Sequence, residues 1–214
     1  ETIALAQNTP PGSVLMLAWG PRHFAVGLAR DVLGELQTIK LVDHRADFSA
    51  LVAAKPLVTP AFTFYAQPVS WWEAQLGTPV YLHAVAPELV QIATTPEIAD
   101  ADVPFGADSA QITCADDQIL LQVAWSSPSV PEQDLSVFVH LLAANGELIA
   151  QADESAPVYG WRPLTTWLAD EIVRDVYALP NPDNEASIAY GLYTQRADGS
   201  FENVVAYELP VDCP

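Results

Sequence analysis

The apolar residues of this chain change their repeat about halfway along, and that change limits what it can fold into more than any single motif does. Before residue 94 they come in continuous runs separated by helix-like patterns; after residue 106 they alternate with other residues in steps of two. Continuous runs suit strands buried on both faces of a parallel sheet, whereas a period of two suits strands with one face in a core and the other in water. The chain therefore reads as α+β in two parts. A small α/β domain with a mainly parallel sheet is expected over 1–98, a linker over 99–106, and an antiparallel β-sandwich, immunoglobulin-like or jelly-roll-like, over 107–214.

In the first part, the run from Ser13 to Trp19 predicts a strand that ends at Gly20-Pro21-Arg22. A helix then fits Arg22 to Leu33, with Phe24, Leu28, Val32 and neighbouring Ala residues on one apolar face. Further strands are expected at Thr38 to Val42, Pro56 to Phe62, Pro79 to Val85 and Glu88 to Ala93. Short helices fit Phe48 to Ala54 and Ser70 to Leu76, the latter carrying Trp71-Trp72 to seal it against the sheet or the second domain. From Thr94 to Gly106 prolines and acids dissolve the pattern, which places the linker there.

In the second part, Ile119, Leu121, Val123 and Trp125 form one inward set, and Leu135, Val137, Val139 and Leu141 another. Asn145-Gly146 and Asp198-Gly199 are expected to supply the positive φ of two-residue hairpin turns, with a third hairpin at Asp116-Asp117. Cys114 and Cys213 stand about a hundred residues apart, too far for a zinc-ribbon or CxxC redox site; they are either a disulfide or two buried thiols. As members of the first and last strands, which are often sheet neighbours, they are expected to lie close together.

Charge narrows the function. The 214 residues hold 8 Lys and Arg against 27 Asp and Glu, a formal net charge of −19. Binding to a phosphate backbone is driven by basic side chains that release counterions, so nucleic acid is not an expected partner. No apolar run reaches the roughly 20 residues of a spanning helix, and the fragment is expected to be soluble. No nucleophile elbow, zincin, P-loop or dinucleotide motif occurs, and His23, His44, His83 and His140 lack metal-ligand spacing. No catalytic residue, metal or cofactor is expected. The segment from Trp161 to Trp167 does stand out: it is loop-like and sets two tryptophans beside Arg162, a composition suited to stacking on a sugar ring while charged groups hold hydroxyls. The candidate glycan-binding residues are Trp161, Arg162, Trp167, Asp153, Glu171 and His140; the bland alternative is that a tryptophan plugs the core while Arg162 pairs with an acid.

The strings NTPPGSVLMLAW, PLVTPAF and SWWEAQLGTPVYL, followed by LSVFVHLLAANGELIAQADE, GWRPLTTWLADEIVRDVYALP and YGLYTQRADG, resemble something more specific. They are similar to the soluble C-terminal region of large polytopic bacterial glycosyltransferase-like membrane proteins, akin to the dolichyl-phosphate-mannose mannosyltransferase family. The resemblance implies a noncatalytic extracytoplasmic domain, since the family's catalytic acid belongs to a membrane-part loop that matches no position here. His140, Gln151, Asp153, Arg162, Trp167 and Glu171 match a polar and aromatic set of such modules. It also implies partners: the membrane-embedded part of the same polypeptide, and a glycan or lipid-linked sugar. The localisation expected is the extracytoplasmic face of a bacterial membrane, tethered by upstream segments with several runs of about 20 apolar residues. A stand-alone carbohydrate-active hydrolase and a structural cell-surface β-sandwich module remain the other readings.

Overall fold

The computed structural model describes residues 1–115, 117–182 and 185–213. The chain forms two compact units, Glu1–Pro96 and Glu97–Pro214, with three sheets, one mixed and two antiparallel.

The first unit opens with helix α1 (Thr2–Gln7), then strand β1 (Val14–Met16), helix α2 (Pro21–Asp31) and strand β2 (Lys40–Val42). Helix α3 (Phe48–Val52), strand β3 (Leu57–Pro60), a 3-10 turn (Ala61–Tyr65), helix α4 (Val69–Leu76) and strands β4 (Tyr81–Ala86) and β5 (Leu89–Ala93) complete it. Its sheet runs β2-β1-β3-β5-β4, with β1 parallel to β2 and β3 but β5 antiparallel to β3 and β4. The expectation of a mainly parallel sheet is corrected accordingly: the sheet is mixed, because Glu88 takes a positive φ of 58° and turns β4 directly back as β5.

Helix α2 begins at Pro21, which needs no N–H at that position, so Gly20-Pro21-Arg22 marks a helix start. The large members of its expected apolar face turn outward, and of the alanines beside them Ala29 is buried. Phe24, Leu28 and Val32 are 54%, 54% and 70% exposed, while Val26 and Ala29 are buried. Val26 packs with Leu15, Leu17, Ile39 and Val58 in the core of this unit. In α4, Trp72 is buried with Phe48 and Phe64 at ring distances of 5.1 and 6.4 Å, so it seals the helix within its own unit. Gly77, at φ 68°, ends that helix in the left-handed conformation.

The second unit contains strands β6 (Gly106–Cys114), β7 (Gln118–Ser126), β8 (Ser136–Ala143), β9 (Leu148–Gln151), β10 (Ile172–Pro180), β11 (Ala186–Gln195) and β12 (Phe201–Val211). They form a three-stranded sheet, β10-β7-β6, and a four-stranded sheet, β12-β11-β8-β9, both antiparallel. The inner sets are Ile119, Leu121, Val123 and Trp125 on β7, and Val137, Val139 and Leu141 on β8, with Leu135 just before it; all are buried. Ile188, Tyr190 and Leu192 on β11 join them, and the Trp125 and Tyr190 rings meet at 6.2 Å between the two sheets. Each such side chain contributes roughly 1.5–3 kcal/mol on full burial.

The segment 99–106 is no free linker. Ala99 donates its N–H to the Asp170 carbonyl at 2.9 Å, the Ser126 hydroxyl donates to the Pro104 carbonyl at 2.8 Å, and Val103 packs with Ala124 and Ile172. The unit therefore starts at Glu97, whose carboxylate pairs with Arg174. Both glycine hairpins also differ from expectation. The Gly146 N–H bonds to the Ala143 carbonyl and the Ala143 N–H to the Glu147 carbonyl, and Gly199, Arg196 and Ser200 repeat this pattern. These are three-residue loops in which only the glycine, at φ 82° and 84°, has positive φ. Of the Asp116-Asp117 turn, Asp116 lies outside the described residues.

Cys114 and Cys213 are joined by a disulfide with Cα atoms 5.7 Å apart. Cys114 ends β6 and Cys213 lies two residues beyond β12; the two strands are edge strands of different sheets, so the bond fastens the two sheets to each other. It closes a span of 99 residues. Replacing both cysteines by serine is expected to lower the unfolding free energy of this unit by about 2–5 kcal/mol, read as a fall in the urea midpoint with disulfide-intact protein as control.

Candidate functional site

The parity that fills the space between the sheets also decides what the second unit shows to solvent. Because Val137, Val139 and Leu141 turn inward, Phe138 and His140 must turn outward. On β11 the outward positions include Gly191 and Tyr193; register then sets Tyr193 beside Asn203 and Gln195 beside Phe201 on β12, and His140 beside Gln151 on β9. Of these, Phe138, His140, Gln151, Tyr193, Phe201 and Asn203 line a cleft of about 320 Å³ on the four-stranded sheet.

Phe138 forms its floor and is only 6% exposed despite pointing away from the core. The reason is Gly191, directly opposite on β11. A Cβ there would come within 2.7 Å of the Phe138 ring and 2.1 Å of the Val205 carbonyl oxygen, so only glycine lets the ring lie across the strand. Phe138 contacts His140 and Tyr193 at centroid distances of 5.4 and 6.3 Å, and Tyr193 contacts Phe201 at 5.5 Å.

Asp153, two residues beyond β9, supplies the carboxylate. Its Oδ1 accepts the Val139 N–H at 3.0 Å, and His140 Nε2 lies 3.2 Å away. The anchoring bond comes from backbone, so the carboxylate is fixed by the strand as well as by the imidazole. Among the described lining residues Asp153 is the single carboxylate, and none is Ser, Thr, Cys, Lys or Arg. Glycoside hydrolysis by a carboxylate pair would need a second acid facing the first. Gln151, Asn203 and Asp153 instead offer hydrogen bonds around an aromatic floor. No three His, Cys, Asp or Glu side chains among the described residues are grouped as metal ligands would be.

The six residues expected to bind glycan divide between two places. His140 and Asp153 are in the cleft. Arg162, Trp167 and Glu171 lie in a buried plug formed by the long crossover from β9 to β10, with Trp161 half-buried beside them. Arg162 grips Glu171 through two bonds of 2.7 and 2.9 Å, Glu171 Oε2 also accepts the Leu168 N–H, and the Trp167 indole N–H donates to the Arg162 carbonyl. Glu171 has no exposed side-chain surface. Arg162, Trp167 and Glu171 are thus corrected as binding residues, because their polar groups are consumed by each other in buried contacts. Removing one partner of such a buried pair costs about 3–5 kcal/mol, because the other charge is left without compensation.

The residues missed were Phe138, Tyr193, Phe201 and Asn203. A signal was present, since Phe138 and Tyr193 are aromatic at positions whose parity assigns them to the solvent side. Asp175 was missed as well. It sits at an inward position of β10, fully buried, and accepts from the Tyr177 hydroxyl and from the Val158 and Val176 N–H groups at 2.9 and 3.0 Å. Through Val158 it ties the crossover to the core. Burial pushes its carboxyl up to about 7 against the pull of those bonds, and the nearby Glu154 adds to the rise. Glu154 is itself raised, by burial and then by Asp153.

No family model matches the chain, and no curated protein matches it. Over 57% of its length it is similar to the crystal structure of an endonuclease/exonuclease/phosphatase from Beutenbergia cavernae DSM 12333, with 14% identity and a TM-score of 0.30; the chain covers 29% of that structure's length. A likeness of that size carries no argument about activity.

Asp175 generates a pH prediction. Between about 4, where an unfolded aspartate titrates, and about 7, the native state keeps a proton that the unfolded chain has released. The stabilisation from protonated Asp175 is therefore complete below about 4 and is lost as pH rises through about 7. Asp175→Asn cannot ionise but keeps an acceptor oxygen for only one of the Val158 and Val176 N–H groups, which bond to different oxygens; whatever its constant offset, it should gain on the parent by a few kcal/mol as pH rises across that interval. Urea midpoints at about pH 5 and pH 8 measure the gain; a constant difference between variant and parent contradicts the assignment.

Proposed function

We propose that the second unit is a noncatalytic saccharide-binding β-sandwich, and that the cleft over Phe138 is where the saccharide sits. The carrying observation is the joining of an aromatic floor with Gln151, Asp153 and Asn203 in one hollow of about 320 Å³, the size of a small ligand pocket. Sugars offer apolar C–H faces and a rim of hydroxyls, which an aromatic surface edged by amides and a carboxylate complements. The division of seven strands into β10-β7-β6 and β12-β11-β8-β9 supports the immunoglobulin-like reading of the sandwich over a jelly roll of two four-stranded sheets.

In the wider reading, the chain is the extracytoplasmic domain of a membrane-embedded glycosyltransferase-like protein, and the cleft holds or orients a glycan or lipid-linked sugar acceptor for the membrane part. The resemblance in sequence supports this, and so does the disulfide, which belongs to oxidising compartments. No helix among the described residues is long and apolar enough to cross a membrane, so the anchor in this reading is supplied by segments outside the chain. The lone carboxylate of the cleft disfavours the hydrolase alternative.

An open site of this kind binds weakly, with Kd near the millimolar range and about 4 kcal/mol of binding free energy. NMR titration with saccharides at tens of millimolar should shift the side-chain amide signals of Gln151 and Asn203. Tyr193→Ala should abolish the shifts and Trp161→Ala should leave them intact. A flat titration with every saccharide would leave the structural-module reading in its place.

A further inference from the structure

We infer that the cleft selects a saccharide carrying a positive charge, an amino sugar whose amine is not acylated, over a neutral sugar of the same shape. The inference rests on the reading of the cleft as a saccharide site and names the class of ligand.

The first observation is the arrangement of the rings. Phe138 and His140 are inclined at 52°, Phe138 and Tyr193 at 56°, and Tyr193 and Phe201 at 78°. A pyranose lies flat on one ring or on rings that share a plane. The inclined rings offer no flat platform wider than one ring, whereas an ammonium group needs only a single ring face, whose negative charge draws a cation within about 6 Å.

Charge is the second observation. The described lining includes the Asp153 carboxylate and no Lys or Arg. Asp153 spends one bond on the Val139 N–H and one on His140, which leaves lone pairs of its carboxylate for a ligand. Around it, the unit from Glu97 onward carries 3 basic and 20 acidic residues, a formal −17. That field gathers cations and depletes anions near the sheet. Gln151 and Asn203, neutral amides on opposite edge strands of the sheet, are left to bond ring hydroxyls.

The test uses the intact chain and three sugars of one shape: glucosamine with its amine protonated, N-acetylglucosamine and glucose, each titrated by NMR at low salt. Glucosamine should bind about fivefold more tightly than either neutral sugar, with shifts at the cleft residues, and the preference should shrink as salt is raised. Asp153→Asn keeps an oxygen for the Val139 N–H, so the fold has what it needs; this variant should bind all three sugars alike. Phe201→Leu alters a ring that is 68% exposed and contributes little to packing, and it should reduce the preference without altering the urea midpoint. Equal affinity for the three sugars in the parent protein overturns the inference and leaves the saccharide site standing. Absence of binding by all three overturns the site itself.

Discussion

The inward packing of alternate residues on β7, β8 and β11 is the constraint on which the rest of the second unit depends. Ile119, Leu121, Trp125, Val137, Val139, Leu141, Ile188 and Leu192 are essentially inaccessible to water. A slip of one residue in any of these strands would turn its whole apolar set outward, so register is strongly specified. The outer face follows from that choice without further design of the backbone. Phe138 and His140 are outside because Val137 and Val139 are inside, and Tyr193 reaches the same cleft because Leu192 is held in the core. Apart from Asp153, which the Val139 N–H holds from beyond β9, the described cleft residues stand on strands, which keeps them in place before any ligand arrives.

A second constraint governs the crossover between β9 and β10. The long connection between β9 and β10 must satisfy its polar groups, and it does so partly within itself and partly through Asp175 and Asp134. Arg162 and Glu171 neutralise each other while Glu171 also caps the Leu168 N–H, and Asp175 reaches from the core to hold Val158. Val158 and Tyr159, both non-glycine residues with positive φ of 59° and 57°, bend the chain where this holding occurs. Such conformations cost energy and persist where surrounding contacts fix them. The tryptophan and arginine of this segment are therefore explained by what the crossover needs to stay folded.

How much of this was legible in the sequence depends on whether the deciding interaction was local. The inward sets of β7 and β8 follow from alternation alone, whereas the end of α4 at Gly77 and the start of α2 beside Pro21 follow from the backbone chemistry of glycine and proline. Phe24, Leu28 and Val32 misled because helix periodicity identifies an apolar stripe without saying whether that stripe or the smaller Val26 and Ala29 will meet the sheet. The linker at 99–106 misled for a similar reason: composition marks irregular backbone, yet irregular backbone can pack, as Val103 does. In the candidate site, His140 and Asp153 were found by residue type. Phe138 depends on Gly191, some fifty residues away, and that pairing exists only once register is known. Asp175 was readable from parity, as an acid in the inward series Val173, Asp175, Tyr177, Leu179, and its burial is the reason its carboxyl titrates so high.

Stability and recognition are consequently supplied by different residues of the same strands. The His140–Asp153 pair is roughly one-third exposed on each side, and pairs in that setting contribute about 0–1 kcal/mol to folding. Gln151, Asn203 and Phe201 are exposed and leave the inner packing untouched. The backbone N–H of Val139 bonds to Asp153 while the Val139 side chain is buried between the sheets, so one residue links the core to the carboxylate that faces the ligand. The polar lining of the cleft can accordingly vary with little cost to the fold, whereas Phe138 and Gly191 cannot, because one fills the space that the other leaves open. A surface arranged in this way can change its ligand by exchanging edge residues while keeping its aromatic floor, and the floor is the part that the sheet itself enforces.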